Sequence, residues 1–299
     1  MSSVKIWIKA FRLRTLPLAL SSIAMGGFLA SSAGAFQWRI FLLCVSTTIF
    51  LQILSNLAND YGDSIHGADS NDRKGPSRAV QSGAISKEQM RNAVIFFTIL
   101  CLASGIILLF VAFGWDWRAF LFFLGLGVLS ILAAIAYTVG RKPYGYIGLG
   151  DISVLIFFGL VGVLGSYYLF TQHISGYEIL PALSCGLFSI GVLNVNNIRD
   201  IESDRKAGKY SIPVRIGREK AVLYHWFLLV AGISAAALYS FLHFTSVWQF
   251  LFLLSLPLFI KNGMAVSRKS SHELDPYLKQ MALSTLLFVL LFGLGMLLS

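Results

Sequence analysis

Charged residues punctuate this chain at intervals of about one membrane crossing. No Asp, Glu, Lys or Arg occurs within 15–38, 40–59, 92–115, 119–140, 152–177, 179–198, 221–260 or 280–299. A helix needs about 20 predominantly apolar residues to cross the hydrocarbon core. Seven of these intervals are one crossing long, and 221–260 is two, broken near His243, Thr245 and Ser246. The pattern predicts an all-α, polytopic transmembrane bundle of about nine helices, the eighth a short one over 247–260. Helices are the expected form because lipid offers no partner to a free backbone amide.

Composition supports the same class. Only 13% of the 299 residues are charged, against about 25% in soluble domains. Basic residues fall on alternate loops. All 24 Lys and Arg except Arg39 and Arg118 lie before the first span or within 60–91, 141–142, 199–220 and 261–279. By the positive-inside rule these segments face the cytoplasm, with the N-terminus inside and the C-terminus outside a bacterial inner membrane. The net charge of +10 is then an orientation signal beside lipid, with no nucleic-acid partner implied. Small residues over Ala30–Ala35 give the first run a leader-like end, but its length and Pro17 favour a retained span. Cys44, Cys101 and Cys185 all lie inside apolar runs and read as lipid- or core-facing, not as a disulfide or zinc set. The five histidines show no metal or haem spacing.

Most carboxylates sit in the two long basic segments. The first begins Asn56-Leu-Ala-Asn59-Asp60-Tyr-Gly-Asp63 and continues through Asp69 and Asp72; the second begins Asn194-Val-Asn196-Asn197-Ile-Arg-Asp200 and continues through Glu202 and Asp204. Asn56 precedes Asp60 by four residues, as Asn196 precedes Asp200, and the motifs stand 140 residues apart. This suggests one domain over 1–299 built from pseudo-repeat halves, roughly 1–150 and 151–261, plus a final helix. If the helices continue past the membrane face, Asp60 and Asp63 share one face, as do Asp200 and Asp204. Like charges so placed are favourable only around cations, and hard oxygen donors suit Mg²⁺. Solvated loop carboxylates are the plainer alternative, but asparagines at membrane depth are expensive unless they face a cavity.

Basic side chains interleave with these acids. Arg73, Lys74 and Arg78 follow the first motif; Arg199, Arg205, Lys206 and Lys209 accompany the second; Arg141 and Lys142 lie between. Orientation accounts for most of them, yet a diphosphate would need some, and Arg78 and Lys142 are the best placed. Tyr137, Tyr144 and Tyr146 surround Lys142. Their ring faces suit a developing allylic cation, although interfacial anchoring explains tyrosines there equally well.

On these residues the chain resembles the UbiA-type membrane prenyltransferases along essentially its whole length. The resemblance is carried by Arg12-Leu-Arg-Thr-Leu-Pro17, Asn56 to Asp63, Gly67-Ala-Asp69, Gly75-Pro-Ser-Arg78, Tyr137 to Tyr146, Gly148-Leu-Gly-Asp151, Asn196 to Asp200 with Asp204, and Val214-Arg-Ile-Gly217. The Asn-Asp-Tyr-Gly-Asp and Gly-Pro-Ser-Arg stretches are similar to the branch acting on 1,4-dihydroxy-2-naphthoate. Leu13 and Ser211 depart from the family pattern without touching the aspartates. The resemblance implies a bundle around a central cavity open to lipid, two cytoplasmic Asp-rich loops, and Mg²⁺-assisted transfer from a polyprenyl diphosphate to 1,4-dihydroxy-2-naphthoate in menaquinone biosynthesis. It implies metal ligation by Asn56, Asp60 and Asp63 and by Asn196 or Asn197, Asp200 and Asp204. Arg78, Lys142 and Lys209 become donor-diphosphate contacts, Arg12, Asn59, Asn197 and Asp69 further substrate-binding residues, and Tyr137 lies beside the reacting carbon. A 4-hydroxybenzoate or haem acceptor is the nearest alternative, and a transporter a remote one.

Overall fold

The computed structural model describes residues 3–66 and 78–299. Among them, nine helices are long and apolar enough to cross a membrane, in agreement with the charge-free intervals. In chain order the spans are Val4–Ser32, Trp38–His66, Lys87–Phe113, Trp117–Ala136, Gly150–Thr171, Ile179–Arg199, Arg218–Leu242, Val247–Arg268 and Asp275–Leu297. The eighth runs beyond its apolar interval, taking Lys261 and Arg268 into its last turns. The protein is a multi-pass membrane protein.

The first span is jointed. An amphipathic helix, Ser3–Phe11, ends at Arg12, whose backbone is left-handed (φ 50). A 3₁₀ turn over Leu13–Thr15 then leads into the apolar helix Leu16–Ser32. Pro17 sits in that helix's first turn, where its missing N–H removes no intrahelical bond. Other starts are capped by side chains. Ser86 and Gln89 form a reciprocal capping box, and Asp116 accepts the Arg118 and Ala119 N–H groups at 3.1 and 3.2 Å. Within the spans, several hydroxyls return to the preceding turn: Ser46 donates to the Leu42 carbonyl (2.8 Å), Thr98 to Val94 (2.9 Å) and Ser130 to Leu126 (2.8 Å).

The packed half of the bundle lies among the sixth to ninth spans. Phe188, Phe252, Phe259, Phe288 and Phe292 are fully buried together, with Phe188 and Phe259 stacked 4.4 Å apart. Beside them His225 Nε2 meets Asn262 Oδ1 at 3.0 Å, and Asn262 donates to the Tyr277 carbonyl at 2.9 Å and to Gln280. These bonds tie the seventh, eighth and ninth spans together, each worth about 0.6 kcal/mol in lipid. The ninth span also packs on the first and sixth. The fourth span rests mainly on the third and second, leaving space between it and the fifth. The middle of the fifth span, Leu155–Gly165, is wound as π-helix. Cys44, Cys101 and Cys185 are buried and free, as read from sequence.

Candidate active site

The second span continues unbroken to His66, so Asn56, Asp60 and Asp63 share one face, as their spacing predicts. All three are buried, at 4%, 1% and 3% exposure, and buried carboxylates require partners. Asp60 accepts the Ala79 and Val80 backbone N–H groups at 3.1 and 3.4 Å. Asp63 accepts the Tyr146 hydroxyl at 2.7 Å on one oxygen and pairs with Arg78 on the other. Arg78 donates as well to the Asn59 carbonyl at 2.8 Å. Asn56 donates to the Phe11 carbonyl (2.9 Å) and to Thr15 Oγ1 (3.0 Å), which fastens the joint of the first span to the motif.

The turn between the fourth and fifth spans closes the site. Thr138 donates to the Ala58 carbonyl at 3.0 Å and to Asn59 Oδ1 at 3.2 Å. Gly62 permits this approach, because a β-carbon there would stand 2.5 Å from the Thr138 carbonyl oxygen. Tyr137 is half-buried and edge-on to Tyr144 with ring centroids 5.4 Å apart, and desolvation pushes its phenol up to about 12. The Tyr146 carbonyl accepts the Tyr210 N–H at 2.8 Å, joining this turn to the segment after the sixth span.

The second motif departs from the continuous helical face that its spacing suggests. The sixth span ends at Arg199, Asp200 breaks it (φ −102, ψ 13), and a short helix follows over Ile201–Lys206. One turn of register survives, since the Asp204 N–H donates to the Asp200 carbonyl at 2.8 Å. Asp200 takes a bidentate pair from Arg199 at 2.9 and 2.6 Å. Asp204 is ion-paired with Lys209 at 3.4 Å. Burial works against the Lys209 charge, but Asp204, Tyr137 and Asp63 outweigh it and hold its pKa above the ordinary lysine value. Lys209 therefore feels carboxylates from both motifs, and the two come together around it.

These groups form the polar end of a cavity of about 760 Å³. Its wall includes Arg12, Asn56, Asn59, Asp60, Asp63, Arg78, Tyr137, Asn196 and Lys209. Its apolar body is built from the first six spans and the ninth. Asp200, Asp204 and Asn197 are buried behind that wall, at 3%, 7% and 2% exposure, and do not line it. Lys142, read from sequence as a diphosphate contact, is exposed and lies off the cavity. The turn folds its tyrosines inward and leaves Arg141 and Lys142 on the outside. Asp69 and the rest of the first Asp-rich loop lie outside the described residues. The sequence reading offered the Tyr146 ring as a face for an allylic cation, with interfacial anchoring as the equal alternative, and did not foresee its hydroxyl on Asp63; it gave Thr138 no role.

The donor set fits a hard divalent cation. It consists of amide and carboxylate oxygens, and one of these, Asn197 Oδ1, is buried without a hydrogen bond among the described residues. No ready-made cage of three acidic, His or Cys side chains occurs among the described residues. In its place, Arg78, Arg199 and Lys209 neutralise the acids.

The sequence model of the UbiA prenyltransferase family matches residues 19–290. The chain belongs to the UbiA prenyltransferase family. It is 46% identical to the 1,4-dihydroxy-2-naphthoate octaprenyltransferase of Escherichia coli, covering 100% of this chain and 97% of that protein. It is likewise 46% identical to the enzyme of the same name from Haemophilus influenzae, over 98% and 96% of the two chains. A UbiA homologue from Archaeoglobus fulgidus, solved bound to GPP and Mg²⁺, shares the fold with a TM-score of 0.67 at 17% identity over 98% and 100% of the chains.

Proposed function

We infer that this UbiA-family enzyme transfers a polyprenyl group from a polyprenyl diphosphate to 1,4-dihydroxy-2-naphthoate, with decarboxylation, and so supplies demethylmenaquinol, the reduced form of demethylmenaquinone, for menaquinone biosynthesis. The observation that carries the reading is a single cavity with an acid- and cation-lined end and an apolar body. That is the shape and polarity of a diphosphate on a long hydrocarbon chain. The choice of acceptor rests on the near full-length relatives of that name.

The chain's own residues set up each step. Arg78 and Lys209 line the polar end and offer cationic donors to phosphate oxygens. The apolar body takes the prenyl tail and keeps water from the reacting carbon. Mg²⁺, held by Asn56, Asp60 and Asp63 and by Asn196 or Asn197, Asp200 and Asp204, would supply Lewis-acid withdrawal of charge from the leaving diphosphate. The allylic C–O bond breaks and its electron pair leaves with diphosphate. The Tyr137 ring, which lines the cavity with Arg78 and Lys209, stabilises the positive charge left on the prenyl carbon. Its raised pKa keeps the phenol neutral throughout. The electron-rich naphthoate ring forms the new C–C bond, and loss of CO₂ and a proton restores aromaticity. The distribution of basic loops supports placing this end at the cytoplasmic face of a bacterial inner membrane, N-terminus inside and C-terminus outside.

The test is an assay of the purified protein in lipid vesicles with labelled polyprenyl diphosphate and each acceptor in turn. Label is expected in the naphthoate product. Transfer to 4-hydroxybenzoate or haem in its place overturns the acceptor assignment.

A further inference from the structure

Arg199 is the largest fully buried side chain among the described residues, and its charge is divided. Nε and Nη2 bond the two Asp200 oxygens at 2.9 and 2.6 Å, Nη2 also bonds Asn196 Oδ1 at 2.9 Å, and Nη1 bonds Asp275 Oδ1 at 2.6 Å. Asp275 opens the ninth span, where the helix N-terminus favours an anion. Its second oxygen takes Arg14 Nη1 at 3.0 Å, from the joint of the first span. A continuous ion-pair chain thus runs from Arg14 through Asp275 and Arg199 to Asp200 and Asn196. The Arg199 side chain is 1% exposed and the Asp275 side chain 29%, so the pairing gains strength toward the motif as water is excluded.

Anchored on Asp275 as well, the guanidinium is fixed at both ends and holds the Asp200 carboxylate and the Asn196 amide in place. We propose that Asp275 is a positioning residue for Mg²⁺-diphosphate binding, acting through Arg199 to orient Asp200 and Asn196. The inference rests on the metal reading of the two motifs. It gives the ninth helix, which stands outside both pseudo-repeat halves, a direct part in the site.

The experiment is calorimetric titration of the purified full chain with geranyl diphosphate at stepped Mg²⁺ concentrations, without acceptor, alongside melting temperatures. Asp275→Asn is expected to raise the half-saturating Mg²⁺ concentration about tenfold, the lower end of losses seen when metal-supporting partners are removed. Asp275→Glu should recover most of it. A purely structural role would lower the melting temperature and leave the Mg²⁺ midpoint in place, which overturns the proposal. Wild-type binding indifferent to Mg²⁺ defeats the metal reading and the proposal together. Mg²⁺-dependent binding that disappears in Asp60→Asn but is unchanged in Asp275→Asn defeats the proposal alone. Should Asp275→Asn not fold, Arg199→Gln and the double variant Arg199→Gln/Asp275→Asn are compared. Equal midpoints support action through Arg199, and a further shift overturns it.

Discussion

The two acidic motifs reach one cavity by different routes. The first lies on an unbroken helix, turns Asn56, Asp60 and Asp63 to the lumen, and is held by groups brought from elsewhere, Arg78 and Tyr146. The second lies where a helix breaks, keeps Asp200 and Asp204 behind the wall, and is held by cations of its own segment, Arg199 and Lys209. A repeated pattern in sequence has therefore become a division of labour. One copy turns Asn56, Asp60 and Asp63 to the cavity, and the other turns Asn196 to it and keeps its carboxylates behind the wall.

Disabling either copy is the severest way to probe that division. Asp60→Asn and Asp200→Asn should each lower turnover more than about 100-fold, beyond the usual loss from a supporting partner alone. Vesicle assays normalised to inserted protein check this, and near-normal rates in Asp200→Asn would leave the first motif as the whole site. Chelation should act on both copies at once, with EDTA stopping turnover and added Mg²⁺ restoring it. Activity indifferent to chelation would remove the reason for grouping the motifs.

Smaller perturbations separate the clamps. Gly62→Val forces the Thr138 turn outward at a cost of about 1–3 kcal/mol. It is expected to cut turnover through Tyr137 and Tyr146 more than it lowers the melting temperature. Tyr146→Phe removes one hydrogen bond to a charged carboxylate, about 1.5–3 kcal/mol, and should raise the donor KM by about tenfold or more. Lys142→Ala should change either constant by less than about twofold, the behaviour of an exposed side chain away from such features. A large effect there would put the diphosphate farther toward the surface than the cavity wall indicates.

How much was legible in the sequence follows the same physics. The nine crossings were readable because burying charge in lipid is costly, so Asp, Glu, Lys and Arg mark the ends of spans. The first motif was readable because Asn56, Asp60 and Asp63 obey helical spacing within a continuing helix. The break at Asp200 was not, since no Gly or Pro marks it and Arg199 is drawn into a buried pair from a distant helix. Asp275 carried no local signal at all. Its significance depends on Arg199 and Arg14, which are 76 and 261 residues away in sequence. Lys142 lies off the cavity because the turn exposes residues 140–142 and folds 143–146 inward, so nearness to Tyr137 and Tyr146 along the chain is not nearness in space.

The Leu155–Gly165 stretch gives the bundle an uneven tolerance to changes in length. Its hydrogen bonds span five residues, so each widened turn holds a residue that an α-helix would omit. Deleting one residue there tightens a turn and leaves both ends of the fifth span facing as before. The same deletion in the second span, ahead of Asn56, would swing the motif by about 100° and carry its carboxylates off the lumen. Natural gains and losses of single residues are therefore expected to accumulate in the fifth span and to be absent from the second.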